Sequence, residues 1–429
     1  MKFEPRRSIW LVLVSAAGRA PGFLIPVLIA SFFGAGSDTD AYFLAYGTVL
    51  LVGGTLAQGI ELSIVPFAAR ELRQSTASAK AFLTKTAVNL SLVAALLWLV
   101  VAPIVIASAN SAVRSHVLVY AAWLTPFVLL MSAASVHGGA LVAEHDIAAS
   151  TGSVAWRGAG GLLGLLAGGA THHLWIVGLG LGAGELARVV WLRRRVLGKA
   201  RELTAPETEP TAHFPRAALG IVTAGFLLGA VPVIEKLIAL RLGPGAASDL
   251  EYASRLIVVP AVVFDGSLAP QLLAGWSERL VVHGRVPSRG DVWRAVLPGL
   301  GIAAAGAVLI VLLAPLLVTV VLHHGRFAAQ DAVLVSRLLR LLAIGFIGSM
   351  GSLLACQAYF ATSRSTLFAA LTFCRGALRV SVGLALLSSV GLMAFGYGFA
   401  VAEWCFFFSL IAAFRPTRTR PLAVQRVEA

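Results

Sequence analysis

Charged residues are scarce in this chain. Only 13% of its 429 residues are Asp, Glu, Lys or Arg, while 58% are hydrophobic. An ordinary soluble domain carries about 25% charged residues, so a fold surrounded by water is excluded. Cysteine is almost absent as well. Cys356, Cys374 and Cys405 lie inside apolar runs, with neither CxxC nor metal-ligand spacing, which excludes a disulfide scaffold and a zinc module. Clusters of catalytic residues are also missing. His172-His173 and His323-His324 sit in short loops without an acidic constellation, so they read as interfacial residues rather than an enzyme centre. Gly34-x-Gly36 joins two apolar segments, not a strand and a helix, and is no phosphate-binding loop.

What the chain does have is a succession of apolar runs of about 20 residues or more, each able to cross a hydrocarbon core of roughly 30 Å as a helix. Lipid offers backbone groups no partner, so these runs should be helical. The expected helices lie near 8–32, 41–69, 84–107, 116–142, 147–170, 173–192, 217–241, 250–276, 292–322, 333–361, 366–389 and 391–414. The first is expected to be a retained helix, because it has no small-residue cleavage site. One long polar connection, Arg193 to Arg216, divides the chain. The expected organisation is a six-helix lobe over 1–192, a basic linker over 193–216, a second six-helix lobe over 217–415 and a tail over 416–429.

The net charge of +14 gains meaning from where the charges lie. Lys2, Arg6, Arg7, Arg70, Arg73, Lys80, the linker, Arg279, Arg285, Arg289, Arg294, Arg364 and the run Arg415 to Arg426 fall on one side, and the opposite loops carry little beyond Arg114 and Arg326. The excess of Lys and Arg in cytoplasmic loops then puts both termini and the linker in the cytoplasm. Nucleic acid is not an expected partner.

The two halves resemble each other. Gly34-Ala35-Gly36-Ser37-Asp38-Thr39-Asp40 follows the first helix with the same G-x-G-x-x-x-D spacing as Gly243-Pro244-Gly245-Ala246-Ala247-Ser248-Asp249 after the seventh. Glu61 to Pro66 likewise matches Asp265 to Pro270 as acid-x-Ser-aliphatic-x-Pro. Duplication of a six-helix unit gives parallel repeats about an axis along the membrane normal, an arrangement suited to rocking around a central cavity.

Ionisable groups inside a bilayer normally face a partner or a wet cavity. Arg19 lies about 17 Å into the first helix by helical rise, beside Pro21, Gly22 and Pro26, which are expected to interrupt that helix. Arg375 and Arg379 share one face of the eleventh helix, so an anion or acidic side chains should lie opposite. Arg337 and Arg340 are explained by snorkelling to the interface. Arg255 has a local partner in Glu251, and Glu185–Arg188 and the neighbours Glu235 and Lys236 also have local explanations. Arg157, Glu61, Asp265 and Glu403 lack a neighbour in sequence and are left to cross-bundle pairing or ion coupling. Arginines outnumber acids at mid-membrane, which favours an anionic cargo, and a diphosphate suits planar guanidinium donors.

Several short motifs now stand together: Gly18-Arg19-Ala20-Pro21-Gly22-Phe23, Phe33-Gly34-Ala35-Gly36, Thr39-Asp40-Ala41-Tyr42-Phe43, Val65-Pro66, and Tyr252-Ala253-Ser254-Arg255-Leu256 with Pro260. They resemble the MurJ (MviN) lipid II flippase family of the multidrug/oligosaccharidyl-lipid/polysaccharide exporter superfamily. The resemblance implies an all-α fold of about twelve transmembrane helices in two parallel lobes around a central cavity. It also implies a flippase in the bacterial inner membrane that passes an undecaprenyl-diphosphate-linked saccharide to the outer leaflet. Arg19, Asp40 and Arg255 match functional positions of the family, with Arg375 and Arg379 as further candidates for the headgroup and Glu61 or Asp265 for a coupling ion. Ile25 and Val52-Gly53-Gly54 stand where typical members carry basic residues. That leaves the cargo open between lipid II and a capsule, exopolysaccharide or O-antigen unit.

No cofactor or metal is expected, and Na⁺, H⁺ and the membrane potential all remain open as the drive. Cell-envelope glycosyltransferases or a polymerase would be partners. Three alternatives stand beside transport of a lipid-linked sugar: a non-transporting scaffold, a membrane glycosyltransferase or acyltransferase, and a drug or cation antiporter, which would need a lobe rich in carboxylates.

Overall fold

The computed structural model describes residues 5–74, 76–144, 146–198, 214–264, 268–269, 271–273, 275–276, 287–362 and 365–414. Among the described residues there is no strand. Helix α1 spans Pro5–Phe33, α2 Ser37–Val49, α3 Thr55–Ser63, α4 Val65–Gln74, α5 Thr76–Ser108, α6 Ser111–Ala143, α7 Ile147–Gly152, α8 Val154–Thr171 and α9 Ile176–Leu197. The second half holds α10 Phe214–Ala239, α11 Ala246–Val263, α12 Arg289–Val321, α13 Ala329–Ala361, α14 Ser365–Val390 and α15 Met393–Ala413. Each expected apolar segment therefore finds a helix. Seven of the described stretches are long and apolar enough to span a bilayer by length and composition. The linker from 199 to 213 and the tail from 415 onward lie outside the described residues.

Helix α1 corrects one expectation, since it runs unbroken through Pro21 and Pro26. The facing helix is shaped for this. A Cβ on Gly158 would lie 2.5 Å from Pro21 Cβ, and one on Gly161 would lie 2.6 Å from Ile25 Cδ1. Bare backbone on α8 thus admits the ring, and packing holds the helix across the missing amide. The segment expected as one helix over 41–69 is instead subdivided. A π turn over Leu50–Gly54 separates α2 from α3, and the chain bends at Ile64 before α4. Gly53 and Gly54 lower helix propensity there. Gly53 also backs onto Met131, whose Sδ would be 3.0 Å from an added Cβ. Pro66 follows the bend in the first turn of α4, where its missing amide is harmless.

The lateral surface is apolar: Leu99, Leu163 and Leu312 are 68%, 68% and 69% exposed. Such a surface is stable against lipid and not against water, and the protein is a multi-pass membrane protein. Small residues and polar pairs lie inside. Helices α8 and α9 approach backbone to backbone, since a Cβ on Gly160 would sit 2.6 Å from Gly184 Cα. This is the small-residue packing that lipid-embedded helices use in place of a hydrophobic drive. Helices α1 to α9 form one lobe and α10 to α15 the other. The lobes meet where α1 and α2 face α11, and where α2, the π turn and α3 face α10.

Candidate functional site

The duplicated G-x-G-x-x-x-D segments meet at the junction of the lobes. Gly34 and Gly245 both adopt positive φ, +73° and +89°. A Cβ on Gly34 would also press on Arg326 O at 2.7 Å, so glycine is required there on two counts. The turn after α1 brings Asp40 to the first turn of α11. Its carboxylate accepts hydrogen bonds from Gly245 N, Ser248 N and Ser248 Oγ, each at 2.7 Å. A carboxylate from one lobe thereby caps a helix of the other, satisfying amides that have no partner in their own helix. Thr39 and Ser248, equivalent in the two repeats, bond to each other through their hydroxyls at 2.9 Å. The equivalent rings of Phe43 and Tyr252 meet edge to face at 5.2 Å. Contacts between equivalent residues occur on the axis that relates two copies, as expected for a duplication. Tyr252 OH donates to Gly34 O at 2.8 Å, and Arg326 N donates to Ser31 O at 2.9 Å.

Besides this junction there are two ion networks, one in each lobe. In the first, Arg157 grips Glu185 through Nε and Nη2 at 2.6 and 2.9 Å, and Arg188 Nη1 reaches the same carboxylate at 3.0 Å. Arg188 Nε also donates to Ser153 Oγ at 2.9 Å. Glu61 accepts from Ser150 Oγ at 3.1 Å and acts electrostatically on both arginines. In the second lobe, Glu251 of α11 lies between Lys236 Nζ at 2.7 Å and Arg255 Nε at 2.6 Å. Arg379 of α14 holds Glu235 of α10 through two contacts of 2.6 Å. Arg375 Nε donates to Glu403 of α15 at 2.8 Å, and Arg375 Nη2 donates to the same oxygen. Each carboxylate needs such partners because an isolated charge in this low dielectric would be prohibitively unstable.

Aromatic rings join the two networks. The Arg157 guanidinium lies 5.2 Å from the Phe127 ring centre, Phe127 stacks on Tyr46 at 6.5 Å, and the Arg255 guanidinium lies 5.6 Å from Tyr46. A cation over a ring face is attracted by the ring quadrupole, so these rings are a polarisable bridge between charged walls.

The expected site residues are thus distributed unevenly. Arg255, Arg375 and Arg379 belong to the ion network of the second lobe, and Asp40 to the junction between the lobes. Arg19 is half-buried on α1, next to Gly18, which backs onto Thr151 and Gly152. Asp265 lies outside the described residues. The surplus of arginines over acids is smaller here than the sequence suggests. Lys236, Arg255, Arg375 and Arg379 face Glu235, Glu251 and Glu403, which leaves one net positive charge in that network. The local explanation for Glu235 and Lys236 is also overturned, since each reaches a different helix. Tyr46 and Phe127 were missed in the sequence, although Tyr42 and Tyr46 at i, i+4 put a stacked aromatic pair on one face of α2.

A family model described as "Lipid II flippase MurJ" matches residues 29–421. No curated protein sequence matches the chain. Among solved structures, an inward closed lipid II flippase MurJ superposes with a TM-score of 0.75 at 15% identity, covering 95% of this chain and 88% of the other. An outward-facing multidrug resistance MATE transporter of the MOP superfamily gives 0.70 at 14% identity, covering 96% and 95%. A MOP superfamily transporter from Pyrococcus furiosus, whose binding pocket is described as reversed in polarity, gives 0.69 at 14% identity with the same coverage. At these identities the superpositions establish a shared fold of two helical lobes.

Proposed function

The chain belongs to the MurJ lipid II flippase family, and from that premise we propose that it carries a polyprenyl-diphosphate-linked saccharide from the cytoplasmic to the outer leaflet of the bacterial inner membrane. The N- and C-termini face the cytoplasm in this reading, as the basic loops require. The cycle is alternating access, with the two lobes rocking against each other so that the junction at Thr39 and Ser248 opens and closes.

One observation supports this reading above the rest. The ion pairs that tie the helices together, from Arg157–Glu185 to Arg379–Glu235, each stay within one lobe. The lobes are joined instead by hydrogen bonds at Ser31, Gly34, Thr39, Asp40 and Phe43. Rocking can therefore exchange junction bonds for water without separating a buried ion pair, the step that would cost about 3–5 kcal/mol each time. A diphosphate entering between the lobes would meet Arg255 first at the aromatic bridge, with Arg19 on α1 and Arg375 and Arg379 behind it. Each net charge moved across 100 mV is worth about 2.3 kcal/mol, enough for the potential to bias the cycle, with Na⁺ or H⁺ at Glu61 as the alternative drive.

A second reading, a non-transporting scaffold, is favoured by the pairing of the second lobe's cations and by Val52, Gly53 and Gly54 in the π turn. Replacement of Arg19 or Arg255 by Ala separates the two readings. With membrane levels matched, outer-leaflet lipid-linked sugar is measured by a membrane-impermeant label in cells that depend on this chain. Transport requires at least a tenfold fall in one of the two variants. Unchanged labelling in both would leave the scaffold.

A further inference from the structure

A cavity of about 310 Å³ opens between α12 and α13 on their exposed flank. Pro315 and Thr319 of α12, His323 beyond its end, and Ser336, Arg337 and Arg340 of α13 line it. Snorkelling accounts for two exposed arginines near a helix end. It does not account for a hollow beneath them. Arg340 Nε donates to Val311 O at 3.2 Å, and among the described residues neither arginine has a carboxylate partner. Asp331, the acid nearest in sequence, lies about two and a half turns from Arg340 and so on the opposite face of α13. Like charges at i, i+3 repel each other, so an anion shared between them would stabilise the pair.

We propose that this groove binds the phosphate of an anionic lipid headgroup from the leaflet in which α12 ends, at a site separate from the transport path. The two guanidinium groups and His323 would surround the phosphate. The neighbouring wall identifies lipid rather than free phosphate as the source. Leu309, Leu312 and Leu316 continue from the groove along α12 at 58%, 69% and 58% exposure, a track for acyl chains.

Native mass spectrometry of the detergent-purified full chain, titrated with phosphatidylglycerol or phosphatidylcholine, tests the assignment. Phosphatidylglycerol should be retained preferentially, and Arg337→Gln with Arg340→Gln should lower its occupancy about tenfold, the loss of roughly one charge-assisted contact. Arg337→Lys with Arg340→Lys should restore part of it. Val333→Trp, which fills the groove without altering charge, should have the same effect as the Gln pair. Equal retention of the two lipids by the unaltered chain would overturn the proposal, as would full phosphatidylglycerol occupancy in the Gln pair and the Trp variant. Inorganic phosphate at millimolar concentration should leave occupancy unchanged, and displacement by it would refute the lipid assignment in favour of a free-anion site.

Discussion

The membrane-embedded charges behave as pairs, and the Glu235–Arg379 pair shows what that demands. Glu235 is 2% exposed and its partner 14%, so removing the carboxylate strands a guanidinium where water reaches it poorly. Glu235→Ala should destabilise the protein by about 3–5 kcal/mol, whereas Glu235→Leu combined with Arg379→Met should recover most of that loss. Thermal unfolding in detergent reads both outcomes, and a double variant no better than the single would show that the pair is not the unit of stability. The sequence revealed half of this arrangement. Arg375 and Arg379 at i, i+4 required acids or an anion opposite, and acids are there. Their identity was hidden because adjacent residues on a helix point about 100° apart. Glu235 and Lys236 are neighbours in sequence, yet one faces α14 and the other α11.

At the level of elements, the glycines divide into two kinds. Gly160 lies in the seam between α8 and α9, inside one lobe, and Gly229 of α10 lies across from Leu51 and Thr55 of the other lobe, where a Cβ would come within 3.2 Å of Leu51 Cδ1. Gly160→Leu should lower the unfolding temperature, because rigid backbones have nowhere to go. Gly229→Leu should leave the unfolding temperature nearly intact and instead part the lobes, seen as a longer distance between spin labels on α3 and α10. An unfolding temperature lowered equally by both would mean that the interlobe face is as fixed as the seam. Helix positions were legible from apolar runs, but the π turn and the unbroken α1 were not. Each depends on what faces it, Met131 in one case and Gly158 in the other, and local propensity carries no record of a distant partner.

For the molecule as a whole, movement of the lobes should depend on the junction at the axis. Thr39→Cys with Ser248→Cys, in a chain whose Cys356, Cys374 and Cys405 are replaced by Ala, places two thiols where hydroxyls now touch at 2.9 Å. Oxidation should abolish outer-leaflet labelling, and reduction should restore it. Full labelling in the cross-linked protein would exclude an opening of this junction during transport. The doubled G-x-G-x-x-x-D signature was visible in the sequence, but its consequence was not, since spacing alone does not say that two copies of a motif touch. That contact also records a history. In a homodimer, a surface on the two-fold axis is isologous, and any bond made by one subunit is made again by the other. Here Asp40 has its three donors, while Asp249, its counterpart, keeps a buried Oδ1 without a hydrogen-bond partner. Two related halves within one polypeptide are free of that constraint. Once each half is encoded separately, one carboxylate can remain a clasp while its twin is released from that duty.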